Sequence, residues 1–168
     1  MKKALLVLDM QNVCVGKNPA PIFKYNKEAL ILNVNKEIKS RKHDLVVYIR
    51  TVLSRHSILG FLSPIKAIEG SPEANLVDDL EIVSEHILSK VRGNAFTNPQ
   101  LLKLLQEHQI EEVEIVGLDG GGCVSLTALG AIDNGFKVTI NTQAVGTMFD
   151  KRQAKLFAKL KQKGAKFI

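Results

Sequence analysis

Three side chains able to do chemistry together lie far apart in the chain: Asp9 in "LLVLDMQN", Lys90 in "LSKVRGNAF" and Cys123 in "GLDGGGCVSLTALGAI". A free cysteine is most often a small buried hydrophobe. Cys123 has a different setting, because it follows three glycines and opens a helix-like run. The positive end of a helix dipole favours a thiolate, and a nearby lysine lowers a thiol pKa further. The setting therefore predicts a nucleophile, partly ionised near neutral pH. Asp9 and Lys90 also have plainer readings, as a turn cap and a surface charge. The functional reading requires both to be aimed at Cys123.

The glycine run admits a second chemistry, since backbone N–H groups at a helix start can cradle a phosphate. "GLDGGG" lacks the Lys-Ser/Thr of a phosphate-binding loop, and the first strand–helix junction, "LDMQN", has no glycine for a dinucleotide fingerprint. A metal site is not expected either. The four histidines, His43, His56, His86 and His108, are isolated, with no ligand-like spacing to Asp or Glu. His56 alone stands in a long loop. No cofactor is expected.

These residues must be positioned by a scaffold, and the apolar pattern describes one. Short runs rich in Val, Ile and Leu occur at Ala4–Leu8, Leu45–Ile49, Val113–Val116 and Val138–Ile140. They read as strands buried on both faces, as in a parallel sheet. His86–Ser89 and Ala165–Ile168 are weaker strand candidates. Between them lie helical patterns. Leu30, Val34 and Ile38 recur at four-residue steps; Asn98 and Pro99 look like an N-cap and first helical residue. Gly135 and Gly164 stand where helices should end. The alternation predicts an α/β fold: a three-layer αβα domain over residues 1–168, Rossmann-like, with a mostly parallel six-stranded sheet. Thr51–Asp79 reads as a long irregular loop, of the kind that usually carries function. Ligands in such sheets bind outside the carboxyl ends of the strands. Asp9, Arg50, Lys90 and the Gly117–Cys123 turn all fall at such ends.

Composition narrows the partners. The chain has 168 residues, 45% hydrophobic and 24% charged, with a formal charge of +6. Its basic residues are dispersed as on solvated helix faces, and aromatics make up only 5%, so nucleic acid is not an expected partner. A small anionic substrate is compatible with the same charge. "MKKALLVLDM" is broken by Asp9 before it reaches the length of a signal-peptide core, and nothing approaches a membrane span. Two cysteines are too few for a disulfide framework. A cytoplasmic protein with free thiols and no membrane contact is expected.

Four segments in order carry a resemblance to the isochorismatase-like cysteine hydrolases, which include nicotinamidases and N-carbamoylsarcosine amidases. "LLVLDMQN" resembles the family's opening strand. "EGSPEANLVDDL" is similar to its Gly-Thr-Pro segment. "LSKVRGNAF" resembles its Lys-x-x-x-Ser-Ala-Phe segment, and "GLDGGGCVSLTALGAIDNGFKV" its Cys-Val-x-x-Thr-Ala helix and following strand. The resemblance implies a catalytic triad of Asp9, Lys90 and Cys123. It also implies an oxyanion hole from the backbone N–H groups of Asp119 and Cys123, and a cis peptide between Leu118 and Asp119. The implied reaction is hydrolysis of a small amide or related C–N bond through a Cys123 thioester. The alternatives are a non-amide hydrolase of the same fold and a catalytically silent binding or assembly member.

The departures bear on substrate. Val13 and Cys14 replace an Asp-Phe pair, Asn94 stands where Ser is usual, and Gly120 where Thr is usual. The Asp-x-His metal pattern of nicotinamidases, which binds the pyridine, is missing from "RTVLSRHSILGF". Poor use of nicotinamide is expected. Cys14, Phe96 and Arg50 are the candidate substrate-binding residues, with Arg92 the other arginine able to help an anionic substrate. The family commonly forms dimers or tetramers, and "HSILGFLSPIKAI" is apolar for a loop. A homo-oligomer that buries part of it is expected.

Overall fold

A computed structural model describes residues 1–41, 44–63 and 65–168. His43, one of the isolated histidines, and Pro64, within the apolar loop, lie outside the described residues. The sheet has six strands, all parallel, in the order β3-β2-β1-β4-β5-β6. They are β1 (Lys3–Leu8), β2 (Leu45–Thr51), β3 (Ile87–Lys90), β4 (Glu112–Leu118), β5 (Lys137–Gly146) and β6 (Lys166–Phe167). The central strands are apolar along nearly their whole length because both of their faces are covered.

Period-two alternation divides those strands between two cores. Leu5 and Val7 of β1 join Val46, Tyr48 and Val116 beneath α2 (Lys27–Ser40), whose Leu30, Val34 and Ile38 form its buried stripe. Leu6 and Leu8 join Ile49, Ile115 and Ile140 on the other face. That face is covered by α4 (Pro99–Glu107), α5 (Cys123–Asp133) and α6 (Asp150–Gln162). Asn98 caps α4 by accepting from Gln100 N, with Pro99 at the first helical position. Gly135 and Gly164, both at positive φ, follow α5 and α6.

Two expectations change. β5 runs on past Ile140 to Gly146, pairing Val145 and Gly146 with Gly117 and Leu118 across an irregularity in register. Its polar Asn141, Thr142 and Gln143 end the apolar signal while the backbone continues. The 51–79 stretch contains α3 (Ile58–Leu62) and a 3-10 turn at Pro72–Ala74. Both are too short for helical periodicity to show, although Ser57 caps α3 by accepting from Gly60 N.

Candidate active site

The carboxyl ends of β1, β2, β3 and β4 meet on one side of the sheet, and the first three each deliver a polar side chain there. Asp9 follows β1 at φ +53, a left-handed backbone that Asp tolerates better than most residues. Its N–H donates to Ile49 O at 2.8 Å. Lys90 ends β3 with its side chain fully buried, and donates to Asp9 Oδ2 at 2.9 Å and to Thr51 Oγ1 at 2.6 Å. Thr51 Oγ1 in turn donates to Asp9 Oδ1 at 2.9 Å. The Lys90 ammonium also donates to Cys123 Sγ at 3.3 Å. Three residues separated by up to 114 positions are therefore in one hydrogen-bonded cluster (Asp9 to Cys123).

Gln11 fixes this geometry from below. Its amide donates to Thr51 O and Ala74 O, both at 2.8 Å, and its Oε1 accepts from Thr51 N at 2.8 Å. One side chain thus ties the end of β1 to the end of β2 and to the loop beyond it.

The glycine turn brings Cys123 in from the other side. Gly117, at φ +102, passes so close to Leu8 O that no Cβ fits there, which lets β4 and β1 end side by side. The Leu118–Asp119 peptide is cis. The Asp119 carboxylate accepts from Gly121 N at 3.1 Å, Thr147 Oγ1 at 3.0 Å and Met148 N at 3.0 Å, so it serves as the pin of the turn. The N–H groups of Gly120, Gly122 and Val124 are also taken up inside the turn and its neighbours. Those of Asp119 and Cys123 are not among these bonds.

Burial is the main influence on the thiol. Together with the negative charge of Asp9, burial pushes the Cys123 pKa up to about 12, against the opposing pull of Lys90. This runs against the expectation of a partly ionised thiol: the helix start and the lysine are present, but burial and Asp9 push the other way. Burial also works to lower the Lys90 pKa, but Asp9 and Cys123 overcome it and hold that group above its usual value.

A cavity of about 410 Å³ opens above this cluster, within the range of small-molecule sites. Its walls are largely apolar, from Phe23, Leu53, Leu59, Leu62, Ile65 and Met148. Cys14 lines it, as does Arg92. Arg50 and Phe96 do not. One residue before Thr51 on a strand, Arg50 faces the other way and donates to Ser89 Oγ at 3.4 Å. Phe96 packs into the core against Phe136, with ring centroids 5.9 Å apart. The ring in the cavity wall is instead that of Phe23, from the segment between α1 (Asn12–Val15) and α2. Nothing in the local sequence marks Phe23, which reaches the site through tertiary packing alone. Thr51 carried a usable signal, since it too ends a strand.

The model of the isochorismatase domain family matches residues 3–168. The chain belongs to the isochorismatase family. It is similar in structure to the Pyrococcus horikoshii pyrazinamidase crystallised with zinc. That likeness has a TM-score of 0.84 at 26% identity, covering 100% of this chain and 99% of that one. The maleamate amidohydrolase of Pseudomonas putida is 29% identical over 92 residues, which are 54% of this chain and 43% of that enzyme, so the match spans less than half of the relative. The probable hydrolase YcaC of Escherichia coli is 25% identical over 93% of this chain and 76% of its own length. Among the described residues no three His, Cys, Asp or Glu side chains converge as a metal site. His56 is exposed on the turn before α3, and the adjoining cavity wall is Leu53, Leu59, Leu62 and Ile65. Apolar groups cannot serve as zinc ligands.

Among the described residues no helix is long and apolar enough to cross a membrane.

Proposed function

We propose that this protein is a cysteine amidase that hydrolyses a small, non-aromatic amide through a Cys123 thioester. The observation that carries the reading is the Lys90 ammonium held between Asp9 Oδ2 and Cys123 Sγ, two groups that line an apolar cavity. The amidase names of the Pyrococcus and Pseudomonas relatives support the same class of reaction.

Asp9 takes the thiol proton as sulfur attacks the amide carbon, acting as general base to a thiol that shares the Lys90 ammonium with it. Lys90 stabilises the negative charge as it forms and keeps the Asp9 carboxylate in place. The N–H groups of Asp119 and Cys123 receive the developing oxyanion; removing one such donor typically costs about 3–4 kcal/mol of barrier. Collapse of the tetrahedral intermediate breaks the C–N bond, and Asp9 returns the proton to the departing nitrogen. Water then attacks the thioester with Asp9 again as base, releasing the acid and restoring the thiol. No step passes through a metal.

Nicotinamide is a poor substrate in this reading. Phe23 offers a ring to stack on, but the wall that would carry a metal for the pyridine nitrogen is hydrocarbon. The test is a panel of small amides assayed for released ammonia or amine, with Cys123→Ala as control. Turnover lost in that variant supports the reading; turnover that persists overturns it.

A further inference from the structure

We infer that Arg92 selects substrates carrying a carboxylate at the end remote from the scissile amide. The inference rests on the amidase reading and names the substrate class of the same cavity. It follows from an accounting of the cavity's polar side chains. Asp9 is held by Lys90 and Thr51, and Thr51 itself bonds both Asp9 and Lys90. Gln11 is committed on both ends of its amide to backbone groups. Asp119 accepts three bonds within its own turn, and Ser63 is closed on Ile65 through both its donor and its acceptor. Cys123 is the reacting group. Cys14 is a free, buried thiol, and Arg92 is the charged side chain that remains. Among the described residues no carboxylate lies within ion-pair distance of it.

A guanidinium with no acidic neighbour at the mouth of an apolar cavity accepts one kind of ligand well. Its planar donors match the two oxygens of a carboxylate, and it offers no acceptor to a neutral or cationic group. The position also fits. Arg92 stands two residues beyond Lys90, in the bend that follows β3. Gly93 lets that segment pass over the thiol: a Cβ there would lie 3.9 Å from Cys123 Sγ and press on Leu126. The chain thus passes close to the reacting sulfur at Gly93, and Arg92 lines the same cavity. Between the two, the wall offers Phe23, Leu59, Leu62 and Met148 to a short hydrocarbon spacer. The substrate described is an ω-amide of a small dicarboxylic acid.

The test compares succinamate and glutaramate with butyramide and valeramide, which share the spacer but lack the charge. Wild type should prefer the anionic amides in kcat/KM. The ratio of anionic to neutral kcat/KM should fall about tenfold or more in Arg92→Ala, through KM, as for a charged hydrogen bond lost. It should recover in part in Arg92→Lys and invert in Arg92→Glu. An anionic-to-neutral ratio that Arg92→Ala leaves unchanged overturns the inference while leaving the amidase reading in place. A second measurement does not depend on catalysis: succinate and glutarate should raise the melting temperature of wild type, and less so that of Arg92→Ala. If no amide is turned over, the amidase reading fails. Equal stabilisation of wild type and Arg92→Ala by the diacids would overturn the assignment of Arg92 on its own.

Discussion

Lys90 Nζ lies 2.9 Å from Asp9 Oδ2, with both side chains almost wholly out of solvent. A buried pair of this kind contributes less to stability than its Coulomb attraction suggests, because both ions lose their hydration. Breaking it is costly all the same, since the survivor is left charged and unpaired. The pair therefore couples folding to the site, and each prediction on these residues needs a measure of stability beside the measure of activity.

Asp9→Asn and Lys90→Met should each reduce amide turnover by about 10²-fold or more, the usual range for loss of a positioned proton-transfer group. Lys90→Met should also destabilise the fold by about 3–5 kcal/mol, as when one partner of a buried pair is removed. Denaturant melts and steady-state kinetics on both variants check this. Full activity in a folded Asp9→Asn protein would remove Asp9 from the mechanism.

The thiol gives a prediction in pH. With its pKa near 12, the Cys123 thiolate population is still climbing well above pH 9. Iodoacetamide labelling of Cys123 should rise with pH and show no plateau below pH 9, and Lys90→Ala should slow it. Cys14, whose pKa burial raises first, with Asp9 and Cys123 adding to it, should label no faster. A plateau near neutral pH would restore the ionised thiol that the sequence suggests.

The same shift predicts how stability varies with pH. The folded state holds the Cys123 proton more tightly than the unfolded chain, whose thiol titrates near the ordinary value of 9.0. The resulting stabilisation is complete below pH 9 and is lost as pH rises from 9 toward 12. The raised Lys90 pKa acts in the same direction above its ordinary 10.5. The melting temperature should fall above pH 9, and Cys123→Ser should reduce that fall.

Metal chemistry gives a fourth check. Extensive chelation should leave activity intact, and nicotinamide should be turned over with kcat/KM below about 10⁴ M⁻¹s⁻¹, the lower end of ordinary enzymes. Activity lost to EDTA and restored by zinc would mean that ligands assemble from residues now apart.

On α3, Ile58, Leu59, Phe61 and Leu62 are all exposed, Phe61 at 80%. We propose that a second copy of the chain covers them, since an apolar patch of that composition is rarely left to water. Light scattering at micromolar concentration should give a dimer or larger, and Phe61→Glu should shift it toward monomer. A monomeric wild type would contradict the proposal.

The parts of this protein legible in its sequence are those set by local pattern. Strands β1, β2, β4 and the first part of β5 announce themselves as apolar runs, β3 and β6 more weakly, and Asn98, Pro99, Gly135 and Gly164 mark helix ends by their own backbone chemistry. Asp9, Lys90 and Cys123 were found because each sits at a strand end or turn that a parallel sheet brings to one side. What stayed hidden depends on direction and burial. Arg50 and Thr51 are adjacent, and only the strand's register decides which faces the site. Phe23 and Met148 reach the cavity from segments with no periodicity. The ionisation of Cys123 turns on how much water the folded cavity excludes, which no short stretch of sequence carries.

The central claim, a Cys123 thioester, has a direct measurement. A substrate amide mixed with the enzyme at low pH, quenched within one turnover and examined by intact-protein mass spectrometry should show an added acyl group. That group should map to the peptide bearing Cys123 and be missing in Cys123→Ala. Substrate consumed in a single turnover with no adduct on wild type, and at an undiminished rate by Cys123→Ala, would contradict the account.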